Sequence, residues 1–400
     1  MKVSSDYFSL LKFYEIMGVY NIMIVIGAGL SGCVIARKMA EKGHKVDVYE
    51  KKAHIGGAVY DYKDPNGIFI QRYGPHILHT NSDAVYDFIQ KHGKWNTFEH
   101  KVLGNVCNKL CPIPFNLKSI ETCFTPVKAY QYKKKLIEHI GEGKTITIGE
   151  LINTDDEDLK QLANFIYENI FNHYSKKQWG VAPNKLGSNI TGRVPVRASY
   201  KDGYFEDKYQ LIPQEGYTSF LANLLDHKNI NLHLNSNAKN LIRIKESDVY
   251  FYEDLYDDNI VYTGCIDYLL DYKYGELPYR TIRFEFERQY WPYQPVAVVN
   301  HPNAPKFTRI TEFGHFYPEH DYKVSVIMRE YPEKYKKDSD FEPYYPIHNA
   351  QNNSIYQIYA KELSKVHNLH LAGRLGKYRY LNMDVAILES LNLADSIKNR

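Results

Sequence analysis

The stretch NIMIVIGAGLSGCVIARKMAEKGHKVDVYEK, residues 21–51, decides the fold. Ile22–Ile26 is an unbroken apolar run, the pattern of a strand buried on both faces. Gly27, Gly29 and Gly32 follow as GxGxxG. Ala36, Met39 and Ala40 keep one helix face small and apolar, and Val46–Tyr49 reads as a second strand. Glu50 ends it, 21 residues past Gly29. Such glycines let the backbone approach a pyrophosphate, the helix N-terminus supplies aligned N–H groups, and the acid accepts a ribose hydroxyl. A purely structural turn is the competing reading. A lone GxGxxG is weak, but the strand, helix, strand and acid around it point to a dinucleotide site.

The chain has 400 residues, which fits two or three domains. A net charge of +3 is too small to indicate nucleic acid, and it fits a small anionic ligand met by local arginines. No apolar run reaches roughly 18 residues, so no membrane span is predicted. The five cysteines form no CxxC and no metal-like His/Cys cluster, so no metal is predicted. Their odd number fits a reduced, cytoplasmic compartment. Tyrosine stands out at 36 residues, and its flat ring with one hydroxyl suits a binding surface. Residues 1–20 lack the basic start and continuous apolar core of a signal peptide. They read as an extension ahead of the fold, with an anchoring helix as the alternative.

From about residue 115 to 178 apolar residues recur at the helical period. In DLKQLANFIYENIFNHY, Leu159, Leu162, Phe165, Ile166 and Phe171 mark an expected buried stripe. Residues 180–198 hold two prolines, three glycines and little periodicity, which predicts a loop long enough to be a lid. GYTSFLANLL reads as a helix capped by Thr218. Short alternating runs over 280–330 predict an antiparallel sheet. The C-terminal LHLAGRLG reads as a strand and a glycine-arginine turn, followed by a helix from near Asn382.

Lys51 and then Gly56 and Gly57 follow Glu50 in KKAHIGG. An acidic strand end, a base and a Gly-Gly turn resemble the amine-oxidase-like flavoproteins. LHLAGRLG is similar to their second FAD segment, where the last strand and helix return to the cofactor. The resemblance implies FAD rather than NAD.

RYGPHILHT (72–80), YSKKQWG, TGRVPVR, GYFEDKYQLIPQEGYT, TRITEF, EPYYPI and GRLGKYRYLNMD occur in order along the chain. Together they resemble the bacterial UDP-galactopyranose mutases. The resemblance implies an α/β fold: a Rossmann-like FAD-binding domain, an inserted helical domain and an antiparallel β-sheet domain. The FAD-binding domain is expected to be discontinuous, from residues 21–82, 212–270 and 366–400. The helical domain would span 115–178. The sheet and substrate domain would comprise 83–114, 179–211 and 271–365, with a mobile lid at 180–198.

The implied reaction is the non-redox interconversion of UDP-galactopyranose and UDP-galactofuranose, which supplies galactofuranose for cell-surface glycans. In it, N5 of reduced FAD attacks the anomeric carbon, and a flavin–sugar iminium carries the ring opening and closure. NAD(P)H is a candidate external reductant, and a homodimer is the implied assembly.

Matched position by position, Gly27, Gly29, Ser31, Gly32, Glu50, Lys51, Gly56, Gly57, His76, His79, Gly373, Arg374, Tyr380, Asn382 and Met383 are expected to hold FAD. The helix starting near Asn382 and Met383 would aim its N-terminal dipole at the anionic edge of the reduced flavin. Many relatives carry Asp where this chain has Asn382, which removes a charge. Arg193 and Arg309 match the family's two diphosphate-binding arginines, whose planar fork suits phosphate geometry. With His79, which would shape the site, they are the candidate catalytic groups. Arg280 matches a third active-site arginine. Tyr204, Phe205, Asn300, Tyr345 and Tyr380 match pocket residues, and Tyr344 could exchange with Tyr345 by register.

In HYSKKQWG (173–180), Tyr174 matches a uracil-stacking tyrosine and Trp179 a loop tryptophan near the nucleotide sugar. Five positions on a helix is about 140° around the axis, so the two rings cannot share one face. Two rival readings remain at this level. One is an FAD-dependent amine oxidase or desaturase sharing only the FAD domain. The other is a UDP-sugar-binding protein that keeps FAD without catalysis.

Overall fold

The computed structural model describes residues 22–180, 194–318, 322–337, 339 and 341–398. Residues 1–20 and most of the expected lid, Arg193 included, lie outside the described residues.

Ile22–Ile26 is the middle strand of a five-stranded parallel sheet. The order is Ile230–His233, Lys45–Tyr49, Ile22–Ile26, Ile260–Tyr262, Leu369–Leu371. The apolar run is buried from Met23 onward, as a strand covered on both faces requires. Helix Leu30–Glu41 buries Val34, Ile35, Met39 and their neighbours beneath the sheet. Helices Gly216–Leu225 and Met383–Ser396 pack beside it. The rest of the chain is inserted between the strands of this sheet.

Thr218 was the expected cap of Gly216–Leu225, and the structure corrects this. Glu215 is the N-cap residue, and the first amides are held by Asp61 from a distant strand. Tyr217 N donates to Asp61 Oδ2 at 2.7 Å and Thr218 N to Oδ1 at 2.8 Å. A carboxylate at a helix N-terminus satisfies orphan donors and meets the positive end of the dipole.

The second sheet has seven strands. Its order is Tyr345–Pro346, Tyr279–Tyr290, Val324–Lys334, Arg309–Glu312, Val298–Asn300, Val102–Val106, Lys109–Ile113. It is antiparallel as expected except at one pair, where Val298–Asn300 runs parallel to Val102–Val106. Alternation in the sequence marks strands but carries no information on which distant strand becomes a neighbour.

The helical segment contains Leu117–Cys123, Pro126–Ile140, Ile148–Ile152 and Glu157–Ile166. The last continues through a π-helical turn, Tyr167–Asn172, into His173–Trp179. Asn116 with Ser119 and Thr147 with Glu150 form capping boxes. The buried stripe is Leu159, Leu162, Ala163, Ile166 and Ile170, whereas Phe165 and Phe171 are only half-buried. The wider π turn shifts the inward phase away from the α period that selected Phe171.

The expected loop 180–198 also ends short. Val196–Arg197 is a buried strand paired with Thr145–Ile146, and Arg197 N donates to Phe115 O at 2.8 Å. No described helix is long and apolar enough to cross a membrane.

Candidate active site

The glycine turn after Ile26 is forced by close approach. Gly27 has φ 106°, and a Cβ there would collide with Thr263 Oγ1. A Cβ on Gly32 would strike the Gly27 carbonyl. The helix beyond has no acidic residue in its first turn and no capping side chain at Gly29, so no carboxylate of its own occupies its N-terminus. Glu50 Oε2 accepts from Ala28 N at 2.9 Å and Oε1 from Lys52 N at 3.0 Å. The carboxylate is thereby oriented and retains lone pairs for hydroxyl donors.

A second glycine turn returns to the first. Gly373 has φ 73°, and a Cβ on it would lie 3.4 Å from Ser31 Oγ. One cleft results. It is lined by Gly27, Gly29, Ser31, Gly32, Glu50, Lys51, Gly56, Gly57, His76, Gly373, Arg374 and Met383 among others. Asn382 stands just outside it as the N-cap residue of helix Met383–Ser396. An acid for a ribose, bare helix amides for a pyrophosphate and a second chain segment beside them fit FAD. His76 contacts the Gly74 carbonyl through Nδ1 at 2.8 Å. Burial and the nearby Arg374 hold its pKa down, to about 4, so the ring is neutral near pH 7.

Arg374 joins this cleft to an aromatic cluster. Its guanidinium lies 4.9 Å from the Tyr380 ring and 5.5 Å from the Tyr345 ring. Those two rings stack at 5.6 Å with an 18° interplanar angle. Trp179 approaches Tyr345 at 5.6 Å. Tyr344, the preceding residue, is buried and lines the cofactor cleft. Burial, with Tyr380 alongside, pushes the Tyr345 hydroxyl up to about 12.

Arg309 stands at the centre. Its Nε donates to Glu330 Oε1 at 2.6 Å. Burial disfavours its charge, but Glu330 beside it more than restores it. Its terminal nitrogens have no hydrogen-bond partner among the described residues, and so remain available to an anion. Asn300 is its cross-strand partner. Tyr174 belongs to the same group: burial raises its hydroxyl pKa, opposed by Arg309.

Arg280, expected as an active-site arginine, is bonded to the backbone in this structure. Its Nε donates to Gln178 O at 3.0 Å and its Nη2 to Lys177 O at 2.8 Å. It satisfies the end of the helix that finishes at Trp179. Lys177 ties that helix to the loop between Asn300 and Arg309, donating to the carbonyls of His301, Ala304 and Phe307 at 2.7–2.8 Å. Burial pulls its ammonium down to about 8.

His79 stacks on Phe205 at 3.7 Å, and its Nδ1 contacts Asp207 Oδ2 at 2.9 Å. Phe205 meets Tyr204 edge-on at 4.9 Å. Glu330, Lys177, Asp207 and the buried His100 were not singled out from the sequence. Glu330 had one weak signal, an acid inside the apolar alternation of KVSVIMREY. The others act through contacts far apart in the chain.

A family profile for UDP-galactopyranose mutase matches residues 169–380, the segment carrying Tyr174, Trp179, Arg309, Tyr345 and Tyr380. The chain belongs to the UDP-galactopyranose mutase family. Membership makes it an enzyme, an isomerase. A profile for an NAD(P)-binding Rossmann-like domain matches residues 25–91. The chain is 34% identical to a dTDP-fucopyranose mutase of Escherichia coli, over 95% of this chain and 99% of that one. It is 34% identical to a probable UDP-galactopyranose mutase of Klebsiella pneumoniae, over 94% of both chains. A UDP-galactopyranose mutase of Mycoplasma pneumoniae is 32% identical over 94% of this chain and 95% of its own. In fold, the chain matches a crystal structure of reduced UDP-galactopyranose mutase, with TM-score 0.70 and 16% identity over 93% of this chain and 94% of that one. A putative protoporphyrinogen oxidase from Exiguobacterium sp. 255-15 matches with TM-score 0.64 and 13% identity, over 94% and 98%. That breadth shows how general the mutase family's scaffold is, and why its chemistry must be argued from the site.

Proposed function

We propose that this member of the family interconverts UDP-galactopyranose and UDP-galactofuranose without net redox change. The observation that carries the reading is Arg309, anchored by Glu330 with its terminal nitrogens open, amid Tyr174, Trp179, Tyr345 and Tyr380 and beside the dinucleotide cleft. Reduced FAD, when bound, supplies the nucleophile, its N5. The protein's residues do the rest. Arg309 binds the diphosphate and favours its departure and return at the anomeric carbon. Tyr174 stacks on the uracil, and Trp179 meets the nucleotide sugar. Tyr345 and Tyr380 hold the diphosphate and hexose, and Arg374 holds them beside the cofactor. His79 shapes the flavin-facing wall rather than moving a proton.

Arg193, outside the described residues, is proposed to reach the diphosphate as the loop beyond Gly180 closes and excludes water. We further propose that the protein acts as a cytoplasmic homodimer, that NAD(P)H can reduce its flavin, and that its product supplies cell-surface galactofuranose. The Escherichia coli relative gives the competing substrate class, a dTDP-6-deoxyhexose.

The test is direct. The FAD-loaded protein is reduced with dithionite and given UDP-galactofuranose in one reaction and dTDP-fucopyranose in another, and the products are separated chromatographically. UDP-galactopyranose from the reduced protein alone is the expected result. Turnover by the oxidised protein, or conversion of only the dTDP-sugar, would overturn the proposal.

A further inference from the structure

Lys177 belongs to the helix His173–Trp179, one turn past Tyr174 and on the same helix face. Its half-buried ammonium donates to the carbonyls of His301 and Ala304 at 2.8 Å and of Phe307 at 2.7 Å. An ammonium has three hydrogens, so these three acceptors leave no donor for a phosphate. Burial alone shifts its pKa, down to about 8, and no carboxylate restores it among the described residues. A partly desolvated cation is costly unless it is bonded, and here the carbonyls of one loop supply the bonds.

That loop joins the strands Val298–Asn300 and Arg309–Glu312, which pair antiparallel with Asn300 opposite Arg309. It is closed at its base by His301 N donating to Thr308 O at 2.8 Å. Lys177 therefore grips the loop that ends on Arg309. Tyr174 and Trp179 stand on one element and Arg309 on another, yet the charge of Arg309 acts on the Tyr174 hydroxyl. The side chain of Lys177 is a hydrogen-bonded link between the two elements.

We propose that Lys177 is a positioning residue that sets the spacing between the nucleoside-gripping helix and the diphosphate-binding Arg309, so that both halves of a nucleoside diphosphate are held in register. The inference rests on the sugar-nucleotide reading above. A ligand that spans two walls loses affinity when their spacing changes, whereas a fragment that touches one wall does not.

The experiment compares a whole ligand with its halves. Wild type, Lys177→Met and Lys177→Gln are loaded with FAD and reduced, and UDP, uridine and pyrophosphate are each measured as inhibitors of UDP-galactofuranose turnover. In Lys177→Met, UDP should weaken by at least about tenfold while uridine and pyrophosphate each stay within about threefold of wild type. KM should rise with the UDP constant, and kcat should change less. Lys177→Gln keeps two N–H donors on a shorter side chain and should show the same pattern at about threefold or more, which decides the matter if Lys177→Met does not load FAD. An unchanged UDP constant in both variants would overturn the inference alone. Equal losses for all three ligands would also overturn it, because they would report a general loss of structure. A loss shared by UDP and pyrophosphate, with uridine unchanged, would overturn it in favour of direct contact with phosphate. A wild-type protein that turns over no UDP-galactofuranose would overturn it together with the reading beneath it.

Discussion

Arg309 and Glu330 face each other on adjacent strands of the large sheet, with Nε and Oε1 2.6 Å apart and the carboxylate 1% exposed. The buried acid holds the guanidinium at Nε, close enough to Tyr174 and Tyr345 for its charge to act on both hydroxyls. Glu330→Gln keeps the shape and one acceptor but removes the charge. FAD loading should be unchanged, and KM for the sugar nucleotide should rise by about tenfold or more, with a smaller change in kcat. Steady-state kinetics on the reduced protein decide this. An unchanged KM would mean that the pair serves only the sheet.

Arg280 closes the helix that ends at Trp179, so its removal should act first on stability. Arg280→Ala strips two carbonyls of their donor and should cost about 1–3 kcal/mol. Thermal unfolding would show the loss. Hydrogen exchange should place it at residues 177–180, and UDP affinity should fall secondarily. Full stability with lost UDP binding would return Arg280 to the role of direct substrate contact.

Glu50 is held by two backbone amides at the mouth of the cleft. Glu50→Gln should weaken FAD binding by about tenfold or more while the folded protein survives, since a charge-assisted bond to the ribose is lost. Flavin fluorescence during dilution gives the affinity directly.

Acid should destabilise the fold before most carboxylates titrate. His76 and His92 have pKa values held down to about 4, and His100 to about 3, mainly by burial. Folded, these rings resist a proton that the unfolded chain accepts near pH 6.5. Stability therefore rises with pH across this window, and falls as pH drops from about 6.5 toward 4. His92 lies away from the candidate site, against Glu41 and Arg37. His92→Gln should flatten the decline of the urea midpoint between pH 6.5 and 4 relative to wild type. Parallel declines would place the acid sensitivity elsewhere.

Arg193→Ala should abolish most turnover while FAD still binds, if that side chain reaches the diphosphate. Near-normal kcat/KM in this variant, with UDP-galactofuranose as substrate, would remove Arg193 from the mechanism.

The dinucleotide unit was legible because it is local. Gly27, Gly29, Gly32 and Glu50 sit within one strand–helix–strand unit, where backbone sterics and period alone dictate the fold. Ordered motifs likewise carried Tyr174, Trp179, Arg309, Tyr345 and Tyr380, which the structure brings together. Two expectations failed, one to a distant residue and one to a local change of helical period. Asp61 displaced Thr218 at a helix start, and a π turn moved the buried stripe from Phe171 to Ile170.

By itself, then, the sequence determined the parallel sheet, the two glycine turns that share a cleft, and the family. Each is written in spacing along the chain. Only the tertiary structure decided that Glu330 holds Arg309, that Arg280 bonds a helix end, that Lys177 ties that helix to a neighbouring loop, and that His100 is buried with Nδ1 unpaired among the described residues. Those facts depend on which remote atoms come within about 3 Å of one another, a property of packing that no local pattern encodes.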